Sequence, residues 1–404
     1  MRSLLTTLAP VRMGASFRWL IASSWLSNLG DGIALAAGPL LVASQTSNPL
    51  LVAMAALVQR LPWMLFALHA GVIADRHDRR RVVALVDAGR AGAIAFLTVA
   101  VATDVTSIEL VLGALFVIGT AETYADVTTG TLLPMIVEPD DIGVANSRLI
   151  FGTQSLNQLI GPPFGALLFG MGMAVPFATH AVLLAAAVRC VLQIEFRRVP
   201  DVPRRSSARR EVADGLRWLW SHGPMRTLTI TIVAFNVTFG AAWAVLVLYA
   251  LDHLGMGEVG FGLLTAASAV GSIVGAACYG WTVVRVGAAN IMRLGLVIEA
   301  ATHLSLALTH TPSVALITLF VFGVHTGMWG TTVHTARQRQ VPLEYQGRVG
   351  SVYLLGMQGG MVIGAPIGGL LASQWGITAP FWFAFGGSCL ILVLIWKRLA
   401  AIAA

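Results

Sequence analysis

The sequence predicts an all-α membrane protein of twelve transmembrane helices arranged as two pseudo-symmetric six-helix halves. Three observations predict it. Of the 404 residues, 56% are apolar and 11% are charged, too few charges to dress a soluble chain of this size. The apolar residues run in stretches of about 20 or more, the length a helix needs to cross the hydrocarbon core with its backbone hydrogen bonds closed internally. The arginines gather in alternate loops between those stretches.

Charge clusters and Gly, Pro and Asn breaks divide the chain into spans near 17–43, 49–74, 82–103, 108–135, 144–170, 175–196, 226–251, 258–284, 288–309, 313–336, 347–373 and 377–397. Spans 1, 4, 5, 10 and 11 are longer than a bilayer requires, so they tilt or extend into the cytoplasm. The first follows arginines, but it is too long for a signal-peptide core, carries Asp31 and lacks a small-residue cleavage site. It is expected to be a retained membrane helix. The 42 glycines suit close packing between membrane helices. Cys190, Cys278 and Cys389 lie inside apolar spans with no disulfide or metal spacing.

Arginine placement orients the chain. Arg2, Arg12 and Arg18 precede span 1, and Arg76, Arg79, Arg80 and Arg81 follow span 2. Arg197, Arg198, Arg204, Arg205, Arg209 and Arg210 fill the middle loop; Arg285, Arg293, Arg337, Arg339, Arg348, Lys397 and Arg398 mark the later cytoplasmic ends. The loops at 44–48, 104–107, 171–174, 252–257, 310–312 and 374–376 contain no Lys or Arg. Positive-inside then puts both termini and the middle loop in the cytoplasm of a cell whose inner membrane holds the protein. The net charge of +7 is spent on this orientation, not on nucleic acid.

The expected organisation is a six-helix bundle over 1–196, a cytoplasmic linker over 197–225 and a second bundle over 226–404. Within the linker, Val212, Leu216, Leu219 and Trp220 form an i, i+4, i+7, i+8 stripe, which predicts an amphipathic helix on the membrane face. The halves echo each other. Gly161-Pro-Pro-Phe-Gly165 in span 5 matches Gly364-Ala-Pro-Ile-Gly368 in span 11, at close to half-chain offset. Gly161, Pro162, Gly165, Gly364 and Pro366 are expected to kink these helices or pack them tightly across the half-to-half interface. Duplicated halves are a transporter architecture.

Gly71-Val-Ile-Ala-Asp-Arg-His-Asp-Arg-Arg80 resembles the loop 2–3 signature of the major facilitator superfamily. Gly30-Asp31, Arg60-Leu-Pro62, Ala121-Glu-Thr-Tyr-Ala-Asp126, Leu133-Pro134, Ala145-Asn146 and Gly215-Leu-Arg-Trp-Leu-Trp220 resemble its drug:proton antiporter branch, which includes macrolide efflux proteins and the enterobactin exporter. The resemblance implies alternating access, in which two halves rock about a cavity lined by helices 1, 4, 7 and 10 and proton entry drives export. It also implies that Asp75, with Gly71, Arg76, Arg79 and Arg80, forms a cytoplasmic gate. Gly71 would let helices approach, and Asp75 would accept from a neighbouring helix N-terminus. The chain departs from better-known antiporters in two places. Span 4 carries Glu122 and Asp126 where they carry an arginine, and span 5 carries Arg148, Asn157 and Ala166 among its surviving glycines.

Charge inside the membrane costs at least ~2.5–3.5 kcal/mol per residue and marks function by default. Asp31, Arg60 and Glu122 each sit roughly 20 Å from the cytoplasmic end of their span, with Asp126 one turn from Glu122. Arg60 keeps its proton and needs a carboxylate. Pairing with Asp31 leaves Glu122, aided by Asp126, to carry the proton and meet cationic substrates; the competing reading is a structural ion cluster joining three helices. In the second half Asn236, Trp243, His325, Trp329 and His334 are candidates for a substrate cavity. Glu299 and His303, one turn apart, are expected to pair with each other.

No phosphate-binding glycine loop, paired-histidine metal motif or nucleophile elbow is present, so neither enzyme chemistry nor a cofactor is expected. The partners expected are a small-molecule substrate, protons and the lipid bilayer, with the protein monomeric. Three functions fit: a proton-coupled exporter of drugs, a dedicated exporter of an endogenous product such as a siderophore or a lipid, and a non-transporting sensor. The last would call for an added soluble domain or long tail.

Overall fold

The computed structural model describes residues 13–196 and 208–403. Residues 197–207 of the linker, with Arg197, Arg198, Arg204 and Arg205, lie outside the described residues, as do Arg2 and Arg12. Among the described residues there is helix and no strand.

Twelve membrane helices follow in order: α1 Gly14–Gln45, α2 Pro49–Arg76, α3 Arg79–Ala102, α4 Ile108–Thr129, α5 over 142–171, α6 Val175–Leu192, α7 over 223–253, α8 Glu258–Val286, α9 Ala288–Leu308, α10 Pro312–Gln340, α11 Gln346–Trp375 and α12 Ala379–Ile395. Ten contain a continuous helix long and apolar enough to cross a membrane, that of α7 running over Gly223–Trp243 before the helix breaks at 244–245. The other two are α12, a shorter apolar helix, and α5, which is interrupted. In α5 the stretch Thr153–Ile160 is π-helical. The cause is Pro162-Pro163: neither proline donates an N–H, and each ring crowds the carbonyl four residues back, so the preceding turn widens. Span 4, expected to run to 135, stops at Thr129. Gly130 turns the chain, and a short helix restarts at Leu133–Ile136 with Pro134 in its first turn.

The described residues of 1–45 and 61–204 form one compact unit, and those of 46–60 and 205–404 form the other. These units differ from the expected halves at 46–60. There Gly369 of α11 packs so closely that an added Cβ would lie 2.9 Å from Leu50 Cα. Within the first unit α1 packs on α5 and α6, and α3 on α4 and α6; within the second, α7 packs on α11 and α12, and α8 on α10.

The expected packing of the Gly-Pro segments across the halves is corrected: each packs inside its own unit. A Cβ on Gly165 would lie 2.3 Å from the Ile33 carbonyl oxygen of α1, and one on Gly368 2.0 Å from the Ala241 carbonyl oxygen of α7. Gly161 and Gly364 meet α1 and α7 in the same way. Small residues let backbones touch where dispersion, not the hydrophobic effect, drives association. Pro366 lies within the continuous helix α11.

The linker is helical over Ala208–Ser221, and its apolar stripe divides. Leu219 is buried, and Val212 and Trp218 pack against the second unit, with Gly215 on the Arg348 backbone. Leu216 and Trp220 stay exposed, available to a lipid surface.

Candidate functional site

The first unit holds a cluster of ionisable side chains from α1, α3, α4 and α6. Arg90, on α3 and 1% exposed, uses Nη2 to donate to Asp31 Oδ1 of α1 and, at 2.9 Å, to Glu122 Oε2 of α4. His180 of α6 places Nε2 3.2 Å from the same Asp31 oxygen, and Ser27 Oγ lies 3.4 Å from the other. Gly30 makes room for that imidazole: a Cβ there would lie 2.3 Å from His180 Cδ2. Asp87, one turn before Arg90 on α3, is buried with Oδ1 unpartnered, as are Nε and Nη1 of Arg90.

Exposure grades across the cluster. The Asp31 carboxylate is 7% exposed and the Glu122 carboxylate 38%, while Asp126, one turn further, is exposed. Arg90 therefore links a closed carboxylate to an accessible one. Four carboxylates, those of Asp31, Glu122, Asp87 and Asp126, lie around the Arg90 guanidinium, a concentration of negative charge that favours binding protons or cations.

Asp31 and Glu122 are joined through Arg90. The guanidinium expected from Arg60 is supplied by Arg90, because α3 packs against α4 and α6 and brings its mid-helix face to Asp31. Arg60 is half-buried in α2, at the point where that helix passes from the second unit to the first. The sequence signal for Arg90 was present: Asp87 and Arg90 are charges inside the apolar run of span 3. His180, a lone imidazole in span 6, carried a weaker one.

At loop 2–3, Asp75 near the end of α2 is exposed and pairs across the loop with Arg79 at the start of α3, at 3.3 Å. The helix N-terminus here is capped by Asp78, which accepts from the backbone N–H groups of Arg80 and Arg81. Arg79 also donates to the Ala74 and Thr131 carbonyls, Arg80 donates to the Ile194 carbonyl, and Arg76 is exposed. The close approach expected at Gly71 is corrected: an added Cβ there would meet nothing within 4 Å, because no neighbouring backbone reaches that face of α2.

In the second unit, Trp243 lines a small apolar pocket with Phe239, Phe322 and Phe381. Asn236 is buried and donates to Ile232 O of its own helix. His325 and Trp329 are buried beside each other, rings 5.8 Å apart, and His334 is exposed.

Residues 5–402 match the family described as transmembrane secretion effector. The chain belongs to that family of major facilitator transporters. It is 23% identical over 368 residues to macrolide efflux protein A of Streptococcus pyogenes, covering 87% of both chains. It is 24% identical over 382 residues to the multidrug efflux pump Tap of Mycobacterium bovis, covering 91% of this chain and 89% of that one. Its fold is that of a bacterial homologue of the iron transporter ferroportin in an inward-facing state (TM-score 0.77, 17% identity, 97% and 99% covered). It is also that of the nucleoside transporter NupG (TM-score 0.73, 14% identity, 95% and 98% covered). The chain is thus a multi-pass transporter of the major facilitator type, not an enzyme.

Proposed function

We propose that this secretion-effector transporter exports small amphipathic compounds, drugs and antibiotics among them, across the cytoplasmic membrane in exchange for protons, with both termini in the cytoplasm. The observation that carries the reading is the Arg90 bridge between buried Asp31 and accessible Glu122. The names of the macrolide and multidrug efflux relatives support the substrate class.

Glu122, with Asp126 beside it, is the group a proton reaches first. Protonating it neutralises one of the two carboxylates that Arg90 Nη2 serves and weakens that bond. The guanidinium then leans on Asp31 and on Asp87 of its own helix, whose free oxygen lies among the same groups. A cationic substrate competes for the same carboxylates, which is the differential interaction that exchange of one for the other requires. Asp75 and the basic residues of loop 2–3 act on the cytoplasmic side as a gate in alternating access.

Glu122→Gln tests the reading, with ethidium as the probe. In proteoliposomes carrying an imposed proton gradient, the wild type is expected to move ethidium against its gradient and to respond to an uncoupler. The Gln variant, folded and inserted, loses that movement. Undiminished, uncoupler-sensitive transport by the variant refutes the assignment.

A further inference from the structure

We propose that Glu299, His303 and His325 form a second proton-binding site inside the second unit, built separately from the Asp31–Arg90–Glu122 cluster. All three are buried, at 0%, 2% and 3% exposure. His303 Nε2 lies 2.9 Å from Glu299 Oε1 along α9, and His325 Nε2 reaches across from α10 to 3.6 Å from Glu299 Oε2. Glu299 and His325 each fall within one residue of the midpoint of their helix, at the depth where charge is most costly.

The charged and titratable groups of the surrounding elements are all engaged elsewhere or distant. On α9, Arg293 turns to Asn290 and Trp396. On α10, Arg337 lies over Tyr353, Arg339 is at the helix end and His334 is exposed. On α8, Glu258 and Arg285 are at opposite ends, with Arg285 over Trp281 and Cys278 and Tyr279 within two turns of that end. Helix α12 holds no Asp, Glu, Lys, Arg or His; it contributes the buried Ser388 and the half-buried Cys389. The C-terminal helix Leu399–Ala403 holds no titratable side chain. On α7, Arg226 donates to Trp220 O near the start of the helix, Asp252 is exposed, the Tyr249 hydroxyl donates to Leu306 O, and His253 Nε2 meets Thr309 O.

Glu299 therefore has two histidines and no guanidinium as its ion-pair partners. A permanent cation would fix the carboxylate as an anion. Here neutrality at mid-membrane requires a proton held somewhere in the triad, shared between carboxylate and imidazole. The geometry lets that one proton take two positions. Glu299 Oε2, His303 Nδ1 and His325 Nε2 make no hydrogen bond, and 3.6 Å is just beyond bonding reach. When the proton sits on His325 in place of His303, that gap becomes a charge-assisted bond and α10 is drawn toward α9. Among the described residues no group of His, Cys, Asp and Glu is placed to hold a metal ion.

The site has an outlet. Phe322, ring centroid 6.2 Å from His325, stacks on Phe239 of α7 at 5.6 Å, and Phe239 stacks on Trp243 at 4.8 Å. His303 lines the same small pocket as these rings. A proton on the triad thus shifts the aromatic wall of α7.

The test is pH-difference infrared spectroscopy of the full chain in nanodiscs, with no substrate added, so the result stands apart from whether the protein exports anything. The wild type is expected to show carboxyl and imidazole bands that change with pH between about 5 and 9. One carboxyl band should vanish in Glu299→Gln and shift in His303→Asn and His325→Asn, yet persist in Asp31→Asn. Circular dichroism checks folding, and the two histidine variants carry the test where Glu299→Gln does not fold. A Glu299→Gln spectrum superimposable on wild type, or bands that neither histidine change moves, overturns the proposal.

Discussion

Arg90 of α3 holds Asp31 of α1 by an ion pair whose guanidinium is 1% and carboxylate 7% exposed. Neither group has bulk water to replace its partner. Removing one member of such a pair strands the other, at a cost of about 3–5 kcal/mol. Arg90→Met is accordingly expected to lower the melting temperature of the purified protein in detergent. Asp31→Asn added on that background should recover a good part of the loss, since the stranded charge is gone. Lysine at 90 keeps the charge but not the fork that serves Asp31 and Glu122 together, so Arg90→Lys should fall between.

Asp87 behaves differently. It is buried on the same helix with one carboxylate oxygen unpartnered, and it adds a further carboxylate to those around Arg90. Asp87→Asn keeps the shape and removes surplus negative charge. Its melting temperature should match or exceed wild type, whereas Asp31→Asn, which leaves Arg90 short of its buried partner, should melt lower. Parallel melts of the two variants check this.

Two acids of loop 2–3 separate gating from folding. Asp78 caps α3 through two backbone N–H groups, and replacing a cap by alanine costs about 1 kcal/mol. Asp75 is exposed, and its pair with Arg79 bridges the loop between α2 and α3, a surface ion pair worth about 0–1 kcal/mol. Asp78→Ala should therefore lower the melting temperature while Asp75→Ala leaves it close to wild type. Asp75→Ala should instead slow ethidium efflux from cells, in keeping with a role in the transport cycle.

Helix number, order and most boundaries were legible because a bilayer imposes one length and one polarity on every span. What escaped was local. Period and hydropathy do not register the π-helical turn at Thr153–Ile160, since it arises from two prolines acting on carbonyls one turn back. Glu122 and Asp31 were legible as charges in apolar helices. Their bridge was not: Arg60 was the expected partner, whereas Arg90, a charge inside span 3, pairs with both. The pairing of Glu299 with His303 followed from spacing on one helix; His325, on the next, needed the fold. Gly71 carried a motif's meaning that its surroundings here do not express.

Gly71 and Gly165 give a closing contrast. An added methyl at Gly165 would sit 2.3 Å from the Ile33 carbonyl oxygen, a contact with backbone that no rotamer can relieve, whereas at Gly71 it meets open space. Overpacking of this kind costs about 1–3 kcal/mol. Gly165→Ala should thus lower the melting temperature, and so should Gly368→Ala, whose methyl would meet the Ala241 carbonyl oxygen at 2.0 Å. Gly71→Ala should melt like wild type. If Gly71 matters to transport, it does so in a conformation where another helix closes on that face of α2, and Gly71→Ala should then slow ethidium efflux with its melting curve unchanged. Equal destabilisation at 71 and 165 would contradict the packing described for α2 and α5 alike.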